Sequence, residues 1–237
     1  MMLKNFNKQI LITSICLIYV IILFEFTSLD VLVQNLFFDN DTNTWVLNRN
    51  EVILKFLFYD GIKKLLIIFA FSILFSLIFF RKKELILKYK KALLIILLSA
   101  ITIPLIVGFL KSVTNTPCPK NIEYFAGEYP DIKLFTAYPK DFIQKSKVKC
   151  WPAGHASGGF ALMSLFFLFK KRKYQIRALI FALAIGWSMG IYKMLIGDHF
   201  LSHTIITMLI AWLIILIINN VVNLIYKNKE KKIEKSA

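Results

Sequence analysis

Long uncharged apolar runs dominate the pattern of this chain, and polar residues fall in clusters between them. Ala92 to Leu110 is 19 residues without a charge, and Thr204 to Tyr226 is 23. A helix rises about 1.5 Å per residue, so roughly 20 apolar residues cross a hydrocarbon core about 30 Å thick. Shorter runs at Ile10 to Phe24, Leu65 to Phe80, Ala156 to Phe169 and Ala178 to Tyr192 can each be extended by small or polar residues. None shows the alternation of a barrel strand, and backbone in lipid must satisfy its own hydrogen bonds. The pattern predicts an all-α integral membrane protein: six transmembrane helices and two long external loops in a single membrane domain over residues 1–237.

Basic residues orient these spans. Met1 to Lys8, Arg81 to Lys91, Lys170 to Arg177 and Lys227 to Ala237 hold 18 Lys and Arg in 38 residues, against 12 in the 91 residues of the opposite side. The dense side is cytoplasmic by the positive-inside rule. Both termini are therefore expected in the cytoplasm, 227–237 as a basic tail. The first apolar segment, preceded by Lys4 and Lys8, imitates a signal peptide but lacks a small-residue cleavage site before Glu25, so it reads as an anchor. Asp39 to Glu51, with a lone Trp45, reads as a surface loop with one short interfacial helix. Pro117, Pro119, Pro130 and Pro139 keep the second loop from being one helix and predict an irregular, lid-like segment.

Composition agrees with the pattern. Hydrophobic residues make up 57% of the 237, with 22 Phe and a mean hydropathy of +0.63. That excludes a soluble globular domain, a disordered tail and a secreted disulfide scaffold. The net charge of +16 interleaves with apolar runs, so it reads as a topology signal and no nucleic-acid partner is expected. Cys16 falls mid-span and is expected to be a small buried hydrophobe. Cys118 and Cys150 fall near the two ends of the second loop. An oxidising compartment favours a disulfide between them, worth roughly 3 to 4 kcal/mol on a chain-entropy basis; two free thiols are the alternative.

The chemistry concentrates in three histidines, His155, His199 and His203, all expected at the outer membrane surface. His199 and His203 are four residues apart, so a helix capped by Asp198 would put them on one face of its first turn. Pro152-Ala153-Gly154 leads into the fourth span and places His155 near helix N-terminal N–H groups that suit a phosphate oxygen. Lys111 and Lys193, at the outer ends of spans three and five, add charge suited to an anion; as isolated residues they are snorkelling lysines. The pair His199 and His203 with His155 also fits a zinc site.

In order and spacing these blocks resemble the type 2 phosphatidic acid phosphatase superfamily of membrane lipid phosphatases, whose signature is KxxxxxxRP, PSGH and SRxxxxxHxxxD. The first block runs from Lys111 to Cys118-Pro119, with Cys where Arg is expected. The second is Pro152-Ala153-Gly154-His155. The third is Tyr192-Lys193, five residues, His199, three residues, His203, so Lys replaces Arg and His replaces Asp. Cys118-Pro119, Cys150 to Phe160 and Gly197 to His203 also resemble a bacterial, lipid A phosphatase-like subgroup with the same substitutions. The resemblance spans roughly residues 60–220, the phosphatase-like core.

The resemblance implies that His199 attacks phosphorus to give a phosphohistidine and that His155 protonates the leaving group. His203 would stand where an Asp orients the nucleophile. Lys111, Lys193 and Gly154 would bind the phosphate, and no metal or other cofactor is needed. A neutral His203 would give weaker support than a carboxylate, and Cys118 cannot supply the bidentate clamp of an Arg. The expected substrate is a lipid-linked phosphate of the lipid A or undecaprenyl diphosphate class, presented at the periplasmic face of a cell inner membrane. A catalytically silent relative that binds anionic lipid and a zinc-dependent membrane hydrolase are the alternatives.

Overall fold

The structure, a computed structural model, describes residues 2–234. Helix α1 (Met2–Glu25) leads into an extramembrane segment that holds the short helix α2 (Leu29–Gln34) and a two-stranded hairpin, β1 (Phe38–Asp39) and β2 (Thr44–Trp45). The strands are antiparallel, with Phe38 opposite Trp45. The Asp39 carboxylate closes the hairpin by accepting from the Asp41 amide and the Thr42 hydroxyl, and Asn43 takes the left-handed conformation that Asn tolerates.

Helix α3 (Val52–Phe79) follows, with a π-helical turn at Phe56–Asp60, and then α4 (Glu84–Val113). The sequence placed the second span at Leu65. The helix starts at Val52 because Lys55, Asp60, Lys63 and Lys64 interrupt the apolar run without breaking the backbone ladder, and the first loop is correspondingly shorter. Residues 114–153 then form the second long segment. Its backbone is irregular, as five prolines require, but it carries an isolated bridge between Ile122 and Tyr129.

Helix α5 (Gly154–Leu168) is α-helical over Gly154–Ala161 and 3₁₀ over Leu162–Leu168. It is followed by α6 (Arg172–Leu195) and α7 (Leu201–Glu234). Of the basic tail expected over 227–237, Lys227 to Glu234 simply continue α7, and residues 235–237 lie outside the described residues.

Among the described residues, five helices are long and apolar enough to cross a membrane: α1, α3, α4, α6 and α7. Helix α5 is shorter, yet its second half stretches it. Eight residues at about 1.5 Å and seven at about 2.0 Å reach roughly 26 Å, against roughly 22 Å for an unbroken α-helix of that length.

Packing turns the usual soluble arrangement inside out. Helix α5 is the centre, touching α4, α6 and α7; α1 lies along α7, and α3 leans on α4. The outer helices expose large apolar side chains such as Ile68, Phe71 and Phe79, while Ser99, Ser164, Thr207 and Asn219 are buried within the bundle. Lipid-facing apolar surface and an interior with small and polar residues are what a bilayer solvent selects. Cys16 follows the same rule: it is exposed on α1 and not buried as the sequence suggested, because an apolar position mid-span can face lipid as readily as protein.

Glycines set the closest approaches. A Cβ on Gly159 would sit 2.8 Å from the Gly186 Cα, and one on Gly190 would sit 2.4 Å from the Thr204 methyl. Helix α6 is thereby pressed against both α5 and α7. At one end of the bundle the two extramembrane segments stack on each other. Phe38, Ile122, Phe125 and Phe200 form a small apolar cluster with Trp45, whose indole also covers Gly197.

Candidate active site

The histidines come from two helix beginnings. His155 is the second residue of α5, and His203 is in the first turn of α7. His199 precedes α7, in the turn that joins it to α6. That turn folds back because Gly197 adopts φ 70°, and the Lys193 carbonyl accepts from the amides of both Asp198 and His199. Asp198 does not cap α7. That task falls to Asp30 of α2, which accepts from the Ser202 amide at 2.9 Å and from the Ser202 hydroxyl.

The three rings form a chain with His199 in the middle. His199 Nε2 lies 3.2 Å from His155 Nδ1, and His199 Nδ1 lies 3.4 Å from His203 Nδ1. His203 also hydrogen-bonds the backbone of Cys150. His199 is fully buried. Burial first, and then the neighbouring His203, His155, Lys111 and Lys193, hold its pKa well below the ordinary imidazole value, so the ring is neutral.

Cys118 and Cys150 are joined in a disulfide, Cα to Cα 5.2 Å, which ties the start of the second segment to its end. The Cys150 sulfur lies 3.6 Å from His199 Nδ1. Cys150, His199 and His203 are close enough to share an ion. However, a disulfide sulfur is no thiolate, and His155 and His203 approach opposite nitrogens of His199 instead of converging on one point. The donor set does not suit zinc.

Cations surround the chain unequally. Lys111 is half-buried and runs beside Gly154. Both line a cavity of about 500 Å³ that also reaches His155, Tyr59, Lys63 and the apolar side chains Ile67, Ile96 and Leu162. The Tyr59 ring meets His155 edge-on at 4.9 Å. The Gly154 amide does not point at a ligand, since it donates to the Pro152 carbonyl at 2.9 Å. Lys193 stands at the same end of the site but is already paired: its ammonium is 3.0 Å from Asp198 and 4.5 Å from the centre of the Tyr59 ring.

Asp198 gathers two further cations, Lys120 at 2.9 Å and Arg49. Burial pushes this carboxyl up, but the hydrogen bond from Lys120 and the charges of Lys193, Lys120 and Arg49 outweigh burial and hold it below the usual range. Asp198 is therefore a paired anion in the turn that carries His199.

Sequence reasoning named the histidines, Lys111, Lys193 and Gly154, and the structure brings them to one end of α4, α5 and the α6–α7 turn. It missed Arg49, Tyr59, Lys63, Lys120 and Asp30. Only Lys120 lay near a motif, and the others are single polar residues in segments with no periodicity to mark them.

A helical membrane protein with a neutral, buried histidine flanked by two others and a cation-lined cavity opening among apolar side chains has the chemistry of a site for an anionic lipid headgroup. The family model of the PAP2 superfamily matches residues 92–227, more than half of the chain. The chain belongs to this superfamily of type 2 phosphatidic acid phosphatases, whose members are phosphatases acting on lipid phosphates. No curated protein and no solved structure gives a significant match.

Proposed function

We propose that this protein hydrolyses or transfers phosphate from a lipid-linked phosphate through a phosphohistidine on His199. The observation that carries the reading is the histidine chain. With His203 Nδ1 accepting the Nδ1 proton of His199, the lone pair of His199 falls on Nε2, the nitrogen that faces His155.

The phosphoryl group takes the place of the His155–His199 hydrogen bond. A bond forms between His199 Nε2 and phosphorus as the bond from phosphorus to the leaving oxygen breaks, and His155, entering as the imidazolium paired with the phosphate dianion, gives that oxygen its proton and becomes neutral. Water then attacks phosphorus, His155 takes a proton from it, and the N–P bond breaks to release phosphate and neutral His199. Lys111 and Lys193, with Gly154 lining the wall, stabilise charge on the phosphoryl oxygens, and no metal enters this scheme. His203 orients His199 in place of the family Asp. Its uncharged ring stabilises the imidazolium-like transition state less than a carboxylate would.

In this reading α5 is the sixth span, 1–237 is one membrane domain with its catalytic core over 60–220, and both termini are cytoplasmic. The site then faces the periplasm from a cell inner membrane, an oxidising side compatible with the Cys118–Cys150 bridge. Lipid A and undecaprenyl diphosphate are the leading substrates. Purified protein assayed against these two, phosphatidylglycerol phosphate and phosphatidic acid should release phosphate from at least one, and His199→Ala should not. Release that survives His199→Ala would overturn the mechanism, and no release from any of the four would favour a silent lipid-binding relative.

A further inference from the structure

The site carries more positive charge than its own residues balance. Arg49, Lys120 and Lys193 all pair with the single carboxylate of Asp198, whose side chain is only 15% exposed. Three cations meet one carboxylate there; with Lys63 and Lys111 set against Asp60 and Glu51, whose charges act at the same end of the bundle, the excess is still two positive charges, which favours a further anion. A phosphate dianion carries the matching charge.

Placement makes the excess relevant to chemistry. Asp198 immediately precedes His199, and the turn holding both is fixed from three sides: the Lys120 amide donates to the Gly197 carbonyl at 3.0 Å, the Leu47 amide donates to the Leu195 carbonyl at 3.3 Å, and Trp45 packs on Gly197. The first block of the family pattern lacks its arginine, since Cys118 occupies that position and is consumed in the disulfide. Arg49 comes from a different segment, before α3, and brings a guanidinium to this turn. Lys120 lies two residues beyond Cys118. Arg49 is 45% exposed on its side chain and Lys120 is 30% exposed, so both can reach an arriving ligand.

We infer that Arg49 and Lys120 are phosphate-binding residues that replace the missing family arginine, and that Asp198 occupies them as a competing anion, in the turn next to His199, until the substrate phosphate binds. The inference rests on the proposed phosphatase reading. Its geometry suits a guanidinium, because a planar fork holds two phosphoryl oxygens at once where an ammonium holds one.

The bland alternative is that the network merely fastens the first extramembrane segment to the α6–α7 turn. Charge separates the two. Binding of inorganic phosphate and of orthovanadate to the purified full-length protein, measured by calorimetric titration, should weaken about tenfold or more in Arg49→Gln and in Lys120→Gln and less in Arg49→Lys. Asp198→Asn removes the competing anion, so it should bind vanadate as tightly as wild type or more tightly. Melting curves establish that each variant is folded, and Arg49 is exposed enough for its replacement to be tolerated.

Unchanged affinity in both glutamine variants overturns the inference. So does a loss in Asp198→Asn equal to that in Arg49→Gln, because a purely structural brace fails from either end. Wild-type protein that binds neither anion and hydrolyses no lipid phosphate would instead bring down the proposed function, and this inference with it.

Discussion

Protonation decides what single side chains can do here. With its pKa held well below the ordinary value of about 6.5 by burial, His199 keeps its lone pair in mildly acidic conditions. The profile of kcat/KM against pH should therefore show no acidic fall near pH 6.5 from this ring. As pH falls through about 6.5 the unfolded chain binds a proton that the native ring refuses, so His199 makes the fold less stable in acid, and His199→Gln should flatten that part of the stability profile. His155 is tested by leaving group: His155→Ala should lose roughly 10² to 10⁴ in rate on a lipid alcohol but much less on an activated aryl phosphate, which needs little protonation. His199→Ala should not be rescued by the aryl substrate. Equal losses of His155→Ala on both substrates would contradict the division of labour.

The histidines and Lys111 could be read from the sequence because their order and spacing are set by helix starts, a local property. Arg49 and Asp30 could not. Each reaches the site from more than a hundred residues away in sequence, through a segment whose polar composition matches any surface loop.

At the scale of elements, Asp30 ties α2 to the first turn of α7. It is 7% exposed, and burial, only partly offset by the Ser202 hydrogen bonds and Lys133, raises its pKa from 3.8 to about 6. A raised carboxyl means that the native state binds the extra proton, so this group's contribution is greatest in acid and is lost as pH rises from about 4 to about 6; the shift corresponds to about 3 kcal/mol. Asp30→Asn, which keeps the acceptor for the Ser202 amide, should abolish that slope in melting temperature measured across the interval. An unchanged slope would remove Asp30 as its source.

The tight α6–α7 contact makes a second prediction. Gly190→Ala should cost about 1 to 3 kcal/mol of stability through its clash with the buried Thr204 methyl, and Thr204→Ser, which lacks that methyl, should recover part of the loss in the double variant. Hydrophobic runs revealed these helices but not their ends. Val52 to Lys64 mixes charge into a continuing helix, and the 3₁₀ half of α5 has no signature in residue type.

At the scale of the whole molecule, two cytoplasmic termini require an even number of crossings. With α5 as a span, Lys171 lies on the cytoplasmic side and Lys140 on the opposite one, and both are exposed. In a Cys16→Ser background, a cysteine at Lys140 should react with a membrane-impermeant thiol reagent in intact cells, and one at Lys171 should not. Labelling of Lys171→Cys alone would invert the orientation and move the site to the cytoplasm. The orientation tested here rests on the basic clusters, which favour the cytoplasmic side. The stacking of Trp45 and Phe38 on Phe125 joins two segments that no sequence pattern connects.

The central claim is that His199 carries the phosphoryl group, and it can be tested by trapping the intermediate. Wild-type protein mixed with the lipid phosphate it turns over, quenched within one turnover at alkaline pH and digested, should yield a peptide containing His199 that is heavier by one phosphoryl group and loses it in acid. His155→Ala should yield the same adduct from an activated aryl phosphate. The adduct should be absent from His199→Ala. A phosphoryl group found on another residue, or full turnover by His199→Ala, would contradict the account.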